Sequence, residues 1–130
     1  MKPFELGSSP VAAEHGIEAF ELFCCYHLGI QETGEYRFGN VHDVARRFRV
    51  GTGVIKQALE DFHLRPEDFW NLDFDLVEAQ VQISVASPGS DLRTMARTHW
   101  ERLMTAKPAK RDWEAELRRD AAINAKTKWT

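Results

Sequence analysis

The sequence contains no apolar run close to the roughly 20 residues needed to span a bilayer. Its start, Met1-Lys2-Pro3-Phe4-Glu5, lacks the basic-then-apolar order of a signal peptide. Both absences point to a cytoplasmic protein. Cysteine is nearly absent as well. Only Cys24 and Cys25 occur, and neighbouring cysteines cannot staple distant segments, so they read as reduced thiols with at least one packed in the core. Cys24, Cys25 and His27 have no second pair of ligands behind them, so no zinc site is expected. Asp73 and Asp75 lack a glycine-bearing calcium loop and read instead as helix-start residues. His15, His42, His63 and His99 are scattered and read as surface or boundary residues. No glycine-rich phosphate loop is present; Gly34 and Gly51-Thr52-Gly53 lack the required context. No Ser, His and Asp spacing suggests nucleophilic catalysis. An enzyme, a metal and a cofactor are therefore not expected.

What is present suits one globular domain. The chain has 130 residues, 43% of them hydrophobic, with four Trp and eight Phe as bulky core material. The net charge of −3 is unevenly spread. Residues 1–40 and 65–87 each carry −4, residues 41–64 carry +1, and residues 88–130 carry +4. Only the last third is clearly basic, a modest footprint for a nucleic-acid ligand.

Helical spacing dominates the chain. Ser9 and Pro10 suit the cap and first position of a helix. The stripe Ile17, Phe20, Cys24, Leu28 predicts that it runs to about Leu28, where Gly29 stops it. Gln31 to Gly39 is a polar connection, broken by Gly34 and Gly39 and anchored by Tyr36 and Phe38. Asn40 caps the next helix, with Asp43 completing an approximate capping box. Arg65-Pro66-Glu67-Asp68 opens a short helix or turn, after which Phe69, Trp70 and Leu72 return to the core. Phe74 to Val85 fits a strand at Val81, Ile83 and Val85. It also fits a helix on two faces: Leu76, Ala79, Ile83, and Phe74, Val77, Val81, Val85. Helix is preferred, because a lone strand would leave its backbone groups unpaired. Ser90 caps an amphipathic helix with Leu92, Met95, Ala96, Trp100, Leu103 and Met104 on one face. After Lys107-Pro108, a charged terminal helix offers Trp113, Leu117 and Trp129 to a partner or to its own domain.

Between Val41 and Leu64 the apolar residues fall into two short helices. Val44 and Phe48 face inward from the first, Ala45 leaves room for a crossing helix, and Val50 plugs the turn. Ile55, Ala58 and Leu59 form the inner face of the second. This pattern resembles the helix-turn-helix of bacterial repressors over residues 41–64. The resemblance implies a recognition helix at 52–62 that enters a major groove. Thr52, Gly53, Lys56 and Gln57 would point outward at its start, Lys and Gln towards base edges and Thr52 towards a phosphate. Arg46, Arg47 and Arg49 would hold the DNA backbone. Arg49 fills a turn position often given to glycine, where a positive φ would cost on the order of 1 kcal/mol. Glu60 and Asp61 put negative charge in the last turns of the same helix.

The expected fold is all-α: a small single-domain bundle of five or six helices. Residues 1–106 carry the helix-turn-helix at 41–64, and 107–130 form a charged C-terminal helix or tail. Two functions follow. One is a DNA-binding transcription regulator, expected as a homodimer, with Arg111, Arg118 and Arg119 adding phosphate contacts. The other is a cytoplasmic adaptor or regulatory subunit that binds a protein through the helix pair or the acidic segment 65–78.

Overall fold

The structure, a computed structural model, describes residues 2–109. The sequence readings of Arg111, Trp113, Leu117, Arg118, Arg119 and Trp129, and of the rest of the tail, lie outside the described residues. The described chain is all-helical, with six α-helices: α1 (Pro10–Glu14), α2 (Ala19–Leu28), α3 (Val41–Phe48), α4 (Thr52–Phe62), α5 (Leu76–Ser84) and α6 (Leu92–Met104). A single 3-10 turn, Pro66–Phe69, separates α4 from α5. No helix among the described residues is long and apolar enough to cross a membrane.

The first helix is split, against the expectation of one continuous element. Ser9 caps it and Pro10 starts it as expected, its hydroxyl accepting from the Ala12 amide. Gly16 then takes φ +67, and the amides of Ile17 and Gly16 close back on the carbonyls of Ala12 and Ala13. That pair of bonds is a Schellman ending, and Gly adopts it without a Cβ penalty. Ile17 still reaches the core, but from the turn rather than from a helix. The same ending closes α3 at Arg49 (φ 59), with Val50 bonded to the Ala45 carbonyl, and α4 at His63 (φ 63), with Leu64 bonded to the Leu59 carbonyl.

α2 is the central helix and packs on α3, α5 and α6. Leu22, Phe23, Cys24, Cys25, His27 and Leu28 are all buried along it. Phe23 stacks obliquely on Phe74 and Trp100, and each fully buried side chain of this size is worth about 2–3 kcal/mol of apolar transfer. α1 packs on α4, α4 on α3, and α5 on α6, so one continuous core joins all six helices. The ambiguous segment is helical over Leu76–Ser84, as preferred, and Leu76, Ala79 and Ile83 turn inward. Asp75 caps it by accepting from the Glu78 amide. Asp91, not Ser90, caps α6: its carboxylate accepts from the amide and hydroxyl of Thr94.

Two straps tie down the ends of the described residues. The Phe4 amide donates to the Ala106 carbonyl and the Gly7 amide to the Phe62 carbonyl. A Cβ at Gly7 would sit 1.9 Å from the Asp61 carbonyl oxygen, so only glycine lets the strap lie this close. At the other end Lys107 and Asp73 pair, the Ala109 amide donates to the Asn71 carbonyl, and Leu72 bridges Pro108 in antiparallel sense. The chain therefore crosses residue 107 still paired to the body of the fold.

Three aromatic residues sit differently from expectation. Tyr36, Phe38 and Trp70 are exposed. The 31–39 connection is held by hydrogen bonds instead: the Gln31 amide to the Glu35 carbonyl, the Arg37 amide to the Gly29 carbonyl, and the Gln31 side-chain amide to the Arg37 carbonyl. His99, read as a surface or boundary residue, is buried beside Trp100.

Candidate functional site

The α3–α4 pair is built by its caps. Asn40 and Asp43 complete a reciprocal capping box, at 3.0 and 2.9 Å, that starts α3. Val44 and Ala45 are buried on its inner face, and Arg49 turns the chain in the left-handed region. Gly51 then begins α4 with no side-chain cap. Ile55, Ala58, Leu59 and Phe62 bury its inner face.

The seven residues expected to touch DNA fall into three groups. Arg46, Arg49, Gly53 and Lys56 are exposed, and Thr52 is half-buried at the first position of α4. Arg46 approaches Asp43 only loosely, at 3.6 Å. Nothing lies within 4 Å of a Cβ built on Gly51 or Gly53, so the first turn of α4 is open to solvent. Gln57 is exposed, but its amide nitrogen donates to Asp61 Oδ1 at 2.8 Å. Asp61 Oδ2 in turn accepts from the Ser9 hydroxyl, so this acid is tied down, while Glu60 is exposed.

Arg47 corrects the sequence reading. Its side chain is only 12% exposed, and Nη2 donates to Glu21 Oε2 at 3.0 Å. The guanidinium carbon lies 4.3 Å from the Phe48 ring centroid. Its Nε and Nη1 are buried with no hydrogen-bond partner among the described residues. Arg47 is three residues beyond Val44, on the edge of the buried face, and it serves the interior rather than the surface.

Glu21 was not singled out by sequence, yet it organises this corner. It also binds Arg93 of α6, whose Nη2 donates to the Gln31 and Glu32 carbonyls at 3.1 Å. Burial pushes the Glu21 carboxyl up, but Arg93 and Arg47 outweigh that and hold it below its ordinary value. The partners are 26 and 72 residues away in sequence, so no local pattern reveals them.

The surface beside this strut is shallow and of mixed charge. One groove, of about 630 Å³, is bordered by Glu18, Glu21 and Glu32 and by Arg47, Arg49 and Arg93. Such a lining lacks the apolar walls of a small-molecule site. Among the described residues no three His, Cys, Asp or Glu gather as metal ligands. The histidine and thiols of α2 are inward. His27 is buried among Phe23, Tyr26 and Phe69, and burial pushes its pKa down to about 4. Since a carbonyl can only accept, Nε2 carries the proton that it donates to the Leu64 carbonyl at 2.6 Å. Burial likewise pushes the Cys24 thiol up to about 12 and raises that of Cys25, the opposite of an activated nucleophile. Comparison of the chain with protein-family models, with curated proteins and with solved structures returned no match.

Proposed function

We propose that α3 and α4 act as a helix-turn-helix, and that the protein is a small cytoplasmic DNA-binding regulator that works as a homodimer. One observation carries the reading: the start of the 11-residue α4 is bare. Gly51 leaves the first amides uncapped, no side chain covers Gly51 or Gly53, and Arg46, Arg49 and Lys56 are exposed around them. Free helix amides and the positive end of the helix dipole favour a phosphate, and the three cations add backbone contacts. Thr52, Lys56 and the free oxygen of Gln57 are the groups offered to base edges. Arg47 is left out of the contact set.

Titration of labelled duplex DNA with the full chain, followed by anisotropy at several salt concentrations, tests this. Binding should weaken steeply with salt, and Lys56→Ala or Arg46→Ala should flatten the slope by roughly one unit each. No binding at low salt would sink the proposal. A second reading, a protein-binding adaptor, is favoured by a different observation: α5 exposes Val77, Val81 and Val85 beside an acidic segment.

A further inference from the structure

The outer face of α5 is unusual for a surface helix. Val77, Val81 and Val85 recur every four residues and are 66%, 51% and 72% exposed. Trp70 continues the row at 55% exposed, and with Val77, Pro66 and Phe69 it walls a groove of about 180 Å³ at the start of the helix. Charge is missing from the same surface. Glu78 is the only charged residue of α5, and residues 79–90 carry none. Exposed aromatic and aliphatic side chains without charge mark the centre of a protein interface rather than a solvated face.

Two properties select the partner. The row is its own complement. Its three valines form one i, i+4 ridge, and two such ridges pack side by side with the helices crossing at about 50°. Turned about a two-fold axis at Val81, Val77 meets the partner's Val85 and Val85 meets the partner's Val77. Charge favours the same sense of pairing. Asp73, Asp75 and Glu78 sit at the start of α5 and the uncharged stretch lies at its end, so opposed helices put each acidic start against a neutral end. Helices paired in the same sense would set acid against acid. The area suits a weak dimer. Four side chains exposed to this degree leave on the order of 400 Å² per copy, so pairing removes roughly 800 Å² in all, against the roughly 1,200 Å² of small specific interfaces. The exposed Gln82 and Ser84 beside the row add to it.

We propose that α5 is the face through which two copies of this chain pair, in opposite senses about a two-fold axis at Val81. The groove beside Trp70 receives the partner's Val85. This inference rests on the homodimer reading above and deepens it, because it names where the copies meet.

Light scattering on the full chain over a range of concentrations, with cysteine cross-linking, tests this. The molar mass should rise with concentration towards twice the chain's 14.9 kDa. Val81→Glu sets two carboxylates face to face on the axis and should hold the mass at 14.9 kDa, with helicity by circular dichroism unchanged because Val81 lies outside the core. Cys24 and Cys25 are buried and no other cysteine occurs, so an introduced cysteine on this face is the one exposed thiol. Val81→Cys should then oxidise to a covalent dimer, whereas Val77→Cys and Val85→Cys should link efficiently only when the two proteins are mixed. A chain that stays at 14.9 kDa at every concentration overturns the proposal and leaves the row to a different protein. A dimer that Val81→Glu leaves intact overturns it too, because the copies then meet elsewhere. So does Val77→Cys linking to itself as readily as to Val85→Cys. Mass and cross-linking are read without DNA, so failure of this face and failure of DNA binding are distinguishable.

Discussion

His27 shows how far a single residue can move from its ordinary behaviour. Inside its aromatic surroundings the imidazole stays neutral down to about pH 4, against an ordinary value of 6.5. Below 6.5 the unfolded chain takes up a proton that the folded chain refuses. Stability therefore falls as pH drops from 6.5 towards 4, with a slope approaching about 1.4 kcal/mol per pH unit, and above 6.5 this residue has no effect. His99 is shifted in the same direction, by burial first and Arg102 second. Denaturant titrations at pH 7, 6 and 5 check the expectation. His27→Gln, which keeps a donor for Leu64, should flatten the dependence even if it lowers stability at pH 7; equal slopes in the two proteins would refute the assignment. Some of this residue-scale detail was legible beforehand. Arg49 stands at a turn position often filled by glycine and does take positive φ. His27 was not legible, because what lowers its pKa is burial, and the neighbours that bury it, Phe69 among them, are distant in sequence.

The elements were legible where one residue decides them. Ser9, Asn40 and Asp75 are short polar side chains before apolar repeats, and each caps a helix. Gly29 ends α2 in the left-handed region as its position suggested. Reading failed where two signals competed. The stripe from Ile17 to Leu28 concealed the stop at Gly16, whose backbone freedom prevailed over periodicity. Arg47 was misplaced because helical spacing alone sets an edge position, while burial depends on what faces it. Here it faces Glu21, which joins α2 to α3 and, through Arg93, to α6. That strut has a measurable weight. Glu21→Gln leaves the Arg47 charge in the interior without its counter-ion. Breaking a buried pair costs about 3–5 kcal/mol, and Glu21's 27% exposure reduces the expected loss to roughly 2–3 kcal/mol. Urea unfolding should show it as a lower midpoint. Adding Arg47→Met should restore part of the loss, since an apolar chain of similar length needs no counter-ion. A double variant weaker than Glu21→Gln alone would contradict this account.

For the molecule as a whole, the helical class and the single core follow from repeats of three and four residues that run through nearly every segment. The surface does not follow from them. Which of the two apolar faces of residues 74–85 turns inward was open in the sequence, and the packing of α5 on α2 and α6 decided for Leu76, Ala79 and Ile83. The exposure of Gly53, Lys56 and Gln57 on α4 was legible because local helical spacing fixes which side faces outward.

The placement of Cys24 and Cys25 gives the fold a built-in clock. Both cysteines lie midway along the central helix, adjacent in sequence and closed to solvent. Burial disfavours both thiolates while α2 is packed, so an alkylating reagent must wait for that helix to come out. Opening it releases both at once. With excess reagent, mass spectrometry should find chains carrying no label or two labels, and very few carrying one. The rate of that jump then times the undocking of α2 in unmodified protein. A prominent singly labelled species would show instead that the two thiols are reached by separate, local fluctuations.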